Sequence, residues 1–107
     1  MQFRKITAIV RTLCLNDVER EVEKLGVHMS ITAVKGRGEY VNYLNPSELE
    51  RHARIEIFSE TNKVEKIVAA ILEAASSGMP GDGIIAVLPV ERVYRIRTKQ
   101  MAASGQL

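Results

Sequence analysis

Ser76-Ser77-Gly78-Met79-Pro80-Gly81-Asp82-Gly83-Ile84-Ile85-Ala86-Val87-Leu88 marks the point where a helix gives way to a strand. Upstream, Val64, Ile67, Val68, Ile71 and Leu72 follow the i, i+3, i+4 spacing of an amphipathic helix. Thr61 or Asn62 caps that helix and Gly78 ends it. Downstream, Ile84 to Leu88 is a short apolar run of strand length. Between them, Gly78, Pro80, Gly81, Asp82 and Gly83 form a loop in which glycines without Cβ let backbone N–H groups surround an anion. An Asx-type hydrogen bond from Asp82 is expected to hold it shut. Further on, Arg95 and Arg97 alternate with Ile96. Residues i and i+2 of an extended segment point to one side, which suits a phosphate or carboxylate. The plain alternative is a tight turn followed by a solvated basic edge strand, and the order of elements along the chain decides between the two.

Phe3 to Arg11 alternates, with Ile6, Ala8 and Val10 on one face and Thr7 and Ile9 on the other. Apolar residues on both faces predict a central strand. Asn16 reads as an N-cap followed by the acids Asp17 and Glu19, Val18, Val22 and Leu25 form a stripe, and Gly26 stops the helix. Val27 to Lys35 is a second strand, and Ala53 to Phe58, with Ile55 and Ile57 set against Arg54 and Glu56, is a third. Gly36 to Arg51 breaks both periodicities and reads as a long loop, with a short helix over Ser47 to Arg51 as an option at its end. Loops of that length inside a small domain usually carry function. The tail from Lys99 is read as frayed.

The order β-α-β, loop, β-α-β predicts an α+β fold of ferredoxin-like βαββαβ type, a four-stranded antiparallel sheet with two helices on one face. No element remains to cover the other face. Ile9, Ile31 or Val87 on that face would be too apolar for water, so self-association is expected.

The chain has 107 residues, enough for one domain, which spans 1–98 with residues 99–107 as a flexible tail. With 46% hydrophobic and 26% charged residues and a formal net charge of +2, it reads as an ordinary soluble protein with no basic block for nucleic acid. No apolar run is long enough to span a membrane, and Met1-Gln2-Phe3-Arg4-Lys5 lacks the features of a signal peptide, so a cytoplasmic setting is expected. The single cysteine, Cys14, lies between Leu13 and Leu15 and reads as a small buried hydrophobe. His28 and His52 stand apart with no adjacent ligand pair and read as surface or strand histidines; no catalytic residues and no metal site are assigned.

These residues resemble the PII signal-transduction superfamily over nearly the whole chain. The resemblance is carried by Lys5 to Arg11, by Gly26 to Gly36, by Ala53 to Ile57, and by Gly78 to Arg97, with the spacing from Gly81-Asp82-Gly83 through Val87-Leu88-Pro89-Val90 to Arg95-Ile96-Arg97 the most specific part. It implies a non-catalytic regulator: a homotrimer that binds adenine nucleotide in clefts between subunits and touches a target transporter or enzyme through a T-loop, here 37–51. Membrane association would then be indirect, through a transporter. Position by position, it places Gly81, Asp82 and Gly83 at the phosphates, Arg95 and Arg97 across the interface, Ser30 and Glu56 beside the adenine, and Gly36 at the root of the T-loop.

The departures are informative. The lysine usual after Gly-Asp-Gly is Ile84, and the usual arginine–glutamine pair after the glycine turn is replaced where Gly36-Arg37-Gly38 runs into Glu39 and Tyr40. Each lost charge-assisted bond is worth roughly 1.5–3 kcal/mol, which disfavours a third phosphate most. ADP, AMP or ATP are therefore the expected ligands, with no resident cofactor. The T-loop is short and lacks the family's Tyr-Arg-Gly-Ala-Glu-Tyr run, so Tyr40 and Tyr43 read as packing or interface residues rather than as sites of uridylylation. These departures resemble the PII-like branch associated with carboxysomes and bicarbonate transporters, where Arg37, Arg51 and Arg54 are candidate donors to a small anion. A nitrogen-regulatory protein sensing 2-oxoglutarate with ATP or ADP is the alternative. From other classes, a trimeric metal-tolerance protein would need Cys14, Met29 and Met79 to converge, efficient phosphoryl transfer is opposed by the missing lysine, and RNA binding on the sheet would need exposed aromatics.

Overall fold

A computed structural model describes residues 2–36 and 50–107. Its core element is β1 (Phe3–Arg11), which lies between two antiparallel neighbours. A short 3₁₀ turn, Thr12–Cys14, leads into α1 (Leu15–Glu23). Strands β2 (Ser30–Gly36) and β3 (Glu50–Glu60) follow, then a second 3₁₀ turn, Thr61–Lys63, helix α2 (Val64–Ala75) and β4 (Gly83–Val90). The sheet order is β2-β3-β1-β4, the ferredoxin-like arrangement. A small separate ribbon, β5 (Tyr94–Arg95) with β6 (Gln100–Met101), follows it.

Period-2 alternation decides which side chains enter the core. Ile6, Ala8 and Val10 of β1 and Ile55 and Ile57 of β3 are buried on one face against Val18 and Val22 of α1 and Ile67 and Ile71 of α2. The opposite face carries Thr7, Ile9 and Arg11, opposite Glu56, Arg54 and His52 on β3, with Ile84, Ala86 and Leu88 on β4. Ile31 and Val87, expected on this face, lie on the helical side instead, because the register pairs them with the core residues Ile55 and Ile6. The open face is still apolar, since Phe58, Ile84 and Leu88 on it are exposed.

Several local expectations are corrected. Asn16 lies inside α1, whose N-cap is Cys14, and α2 is preceded by Lys63; neither cap makes a side-chain hydrogen bond. Both helices enter through a 3₁₀ turn whose first carbonyl accepts the leading N–H, Leu15 to Thr12 and Val64 to Thr61, without a polar cap. α2 ends at Ala75, before Gly78, and Leu72 of its expected stripe is exposed. β2 begins at Ser30 rather than Val27, and β3 and β4 are longer than the apolar runs that announce them. Gly36, Glu50 and Arg51 are strand, not loop; the rest of the expected loop and most of its optional short helix lie outside the described residues.

The tail also differs from the frayed segment expected. Ala102 is buried and its N–H reaches Val93 O at 2.7 Å. The Ser104 hydroxyl and the Gly105 N–H both donate to Glu60 Oε1, the latter at 2.9 Å. These donors, Ser104 first, hold the Glu60 carboxyl below its usual range.

Candidate functional site

The loop after α2 is shaped by backbone demands that few residues meet. Gly78, Gly81 and Gly83 have φ of 78°, 95° and 111°. At Gly83 a Cβ would sit 1.8 Å from the Ile9 carbonyl oxygen, so that position has no room for a side chain. Asp82 does close the loop, but backward onto the helix end rather than forward in an Asx turn. Its Oδ2 accepts the Ser77 N–H at 2.8 Å and the Gly78 N–H at 3.0 Å, and Oδ1 accepts the Ser77 hydroxyl.

The Ser77 hydroxyl and N–H, helped by Gly78 and by Arg11, hold the Asp82 carboxyl below its ordinary 3.8. A depressed folded-state pKa stabilises above the unfolded value and is lost as pH falls through the folded one. In urea unfolding, the deficit of Asp82→Ala relative to wild type is therefore expected to be constant above pH 3.8 and to shrink below it. A deficit independent of pH would mean that the clamp is not ionic.

Two residues from the sheet reach the same loop. Arg11 donates from Nη2 to Pro80 O at 2.6 Å and from Nε to Gly81 O at 3.1 Å. His52, buried on the neighbouring strand, lies with Nε2 3.0 Å from the same Gly81 oxygen. Because a carbonyl only accepts, Nε2 carries the proton. Neither residue stands out in the sequence: Arg11 ends a strand like any solvated cation, and His52 reads as a surface or strand histidine. One signal is present, for His52 continues the alternation of Arg54 and Glu56 toward the open face.

At the other end of that face, Ser30 and Glu56 are cross-strand partners and line a cavity of about 370 Å³ together with Met29, Phe58, Glu60 and Leu107. Glu56 is held by Lys5 at 2.8 Å, and Arg54 Nε lies 3.0 Å from its other oxygen. The Lys5 hydrogen bond, with Arg54 adding to it, keeps the Glu56 carboxyl below its usual range. The Lys5 ammonium also sits 5.8 Å from the Phe58 ring centre. From Glu56 to His52 the strand runs about 13 Å at ~3.3 Å per residue, so the cavity and the glycine loop lie apart on one surface.

The remaining expected residues are placed less compactly. Gly36 pairs with Glu50, at the loop end of the sheet. Arg95 closes the two-residue β5, but Arg97 lies in the turn of residues 96–99, so the extended segment that would align the two arginines is interrupted. Among the described residues, no hydrogen bond or ion pair joins either side chain to the glycine loop. Arg51 is exposed on β3; Arg37, Gly38, Glu39, Tyr40 and Tyr43 lie outside the described residues. Among the described residues there is no group of three or more His, Cys, Asp or Glu side chains that would hold a metal, and no helix long and apolar enough to cross a membrane.

The sheet carries a clamped glycine loop at one end of its open face and a cavity at the other, and comparison with known proteins gives the family. The family profile described as Nitrogen regulatory protein P-II matches residues 3–100. Nitrogen regulatory protein P-II 1 of Methanothermobacter thermautotrophicus is 39% identical over 103 residues, covering 89% of this chain and 90% of that protein. The P-II protein of Azospirillum brasilense is 36% identical over 106 residues, covering 89% of this chain and 92% of its own. Among solved structures, Arabidopsis thaliana PII bound to citrate superposes with a TM-score of 0.82 at 29% identity, covering 98% of this chain and 90% of that one. The chain belongs to the nitrogen regulatory protein P-II family, whose members are signalling regulators and not enzymes.

Proposed function

We propose that this chain is an adenine-nucleotide-responsive regulator that works in the cytoplasm as a ring of three copies, with ADP or AMP held in the clefts between them. The observation that carries this reading is the division of the site. The glycine loop and the cavity at Ser30 and Glu56 lie at opposite ends of one face, and that face exposes Phe58, Ile84 and Leu88. A head-to-tail ring buries such a face and sets one copy's loop beside another copy's cavity. In that assembly Arg95 and Arg97 reach phosphates across the interface, which accounts for their separation from the loop within one chain. Residues 37–49, between β2 and β3, are the segment that engages a partner, a transporter or an enzyme.

Bicarbonate is the second effector in this reading, which rests on the resemblance of the Ile84 and Glu39 departures to the PII-like branch associated with bicarbonate transporters. For a nitrogen-type member it would be 2-oxoglutarate. Calorimetric titration of ATP, ADP and AMP, each with and without bicarbonate or 2-oxoglutarate, separates the two. ADP or AMP binding strengthened by bicarbonate is the expected result; strengthening of ATP by 2-oxoglutarate alone would move the chain to the nitrogen-type reading. Light scattering is expected to give a trimer at micromolar concentration, and a stable monomer would defeat the intersubunit site. Arg95→Ala and Arg97→Ala should each weaken nucleotide by about tenfold or more.

A further inference from the structure

Arg11 and His52 do more than brace the loop: the peptide geometry gives them a direction to impose. Arg11 holds the Pro80 and Gly81 carbonyl oxygens through two nitrogens of one planar guanidinium, and His52 takes the Gly81 oxygen from a second strand. Both peptides are trans, since the described chain has no cis bond. In a planar trans peptide the N–H points opposite to the C=O. Pinning the Pro80 and Gly81 carbonyls toward the sheet therefore turns the Gly81 and Asp82 N–H groups away from those donors, Gly81 itself being buried and Asp82 half-buried. Among the described residues, neither N–H donates a hydrogen bond. Successive N–H groups on one side of a turn, one residue of it left-handed, form the concave nest that binds anions. Here Gly81, at φ 95°, is the left-handed residue, and Pro80 before it has no N–H to offer. The negative charge nearest the nest is accounted for, because Asp82 is turned back onto Ser77 and Gly78.

We infer that Arg11 and His52 are positioning residues for a nucleoside phosphate, acting through the Pro80 and Gly81 carbonyls to present the Gly81 and Asp82 N–H groups to one phosphate. This inference rests on reading the glycine loop as the phosphate end of the nucleotide site. It gives the two side chains a role in affinity without contact with ligand. Arg11 is anchored twice to backbone and His52 is buried, so neither is free to swing onto the anion itself.

The test compares ADP, adenosine and inorganic phosphate in calorimetric titration of the 107-residue chain. Arg11→Met keeps most of the aliphatic stem and removes both donors; His52→Ala removes the third. Each is expected to weaken ADP by about tenfold or more while leaving adenosine unchanged. His52→Gln, whose amide nitrogen can stand near the Nε2 position, is expected to restore ADP binding. Shifted amide resonances of Gly81 and Asp82 in Arg11→Met, with those of the sheet core unchanged, are the structural counterpart. Because His52 is buried and its alanine variant can lose stability, Arg11→Met and His52→Gln carry the decision. Equal losses for ADP and adenosine would mean a general structural role and overturn the inference. Unchanged ADP binding in Arg11→Met would overturn it too, while leaving the nucleotide reading intact. A wild-type chain that binds neither ADP nor phosphate would defeat the phosphate-loop reading and this inference with it.

Discussion

Gly83→Ala is expected to lower stability by about 3–5 kcal/mol, in the range kept for severe core and backbone defects. The added Cβ would lie 1.8 Å from the Ile9 carbonyl oxygen and 2.9 Å from its carbon, both backbone atoms of the central strand. Neither can rotate away, and φ of 111° adds strain whatever the space. The first residue of β4 would have to leave its register with Val10, and the loop clamped by Asp82 would move with it. Gly78→Ala is the control. Its φ is 78°, but nothing lies within 4 Å of where an alanine methyl would stand, so only the left-handed backbone is penalised, by about 1–2 kcal/mol. Urea midpoints of the two variants at one protein concentration make the comparison. Similar midpoints would show that β4 shifts freely past β1 and that the loop is not locked to the sheet.

That contrast marks where the sequence is legible. β1 can be read with its observed limits because Ile6, Ala8 and Val10 alternate cleanly and both neighbouring strands enforce the same period. Helix starts are harder to place because the local signal is a polar cap, whereas both helices begin from 3₁₀ turns without one. The faces of Ile31 and Val87 depend on strand register, which is a long-range property. The candidate site divides in the same way. Glycines at 81 and 83 announce their backbone conformations locally, so the loop is recognisable. The Arg11 contact with Gly81 spans 70 residues of sequence, and nothing in the local pattern of β1 points toward it. The aligned arginines fail for the opposite reason: the alternation of Arg95, Ile96 and Arg97 imitates a strand, but the chain turns after Arg95 to pair Tyr94 with Met101.

Nucleotide selectivity is where a single substitution is expected to have the largest effect on function. Ile84 follows the glycine loop on the open face, next to Ile9 across the register, and is 48% exposed. In the proposed site the loop N–H groups and the two arginines satisfy one or two phosphates, and a third would meet this apolar side chain. Desolvating a terminal phosphate against isoleucine without a compensating donor removes the gain from the extra charge. ADP or AMP should therefore bind at least as tightly as ATP. Ile84→Lys places an ammonium on the same exposed surface, where a charge-assisted bond is worth roughly 1.5–3 kcal/mol, so ATP affinity should rise about tenfold or more. AMP affinity should stay nearly unchanged, because its single phosphate is already held by the loop. Because the proposed ring covers this face, light scattering is expected to give the same trimer for Ile84→Lys as for wild type, so that the affinities are compared on one assembly. Equal gains for ATP and AMP would indicate general attraction of anions to a more basic surface, and raising the salt concentration would then erase them. A gain confined to ATP and resistant to salt would assign Ile84 as the residue that sets how many phosphates this protein reads.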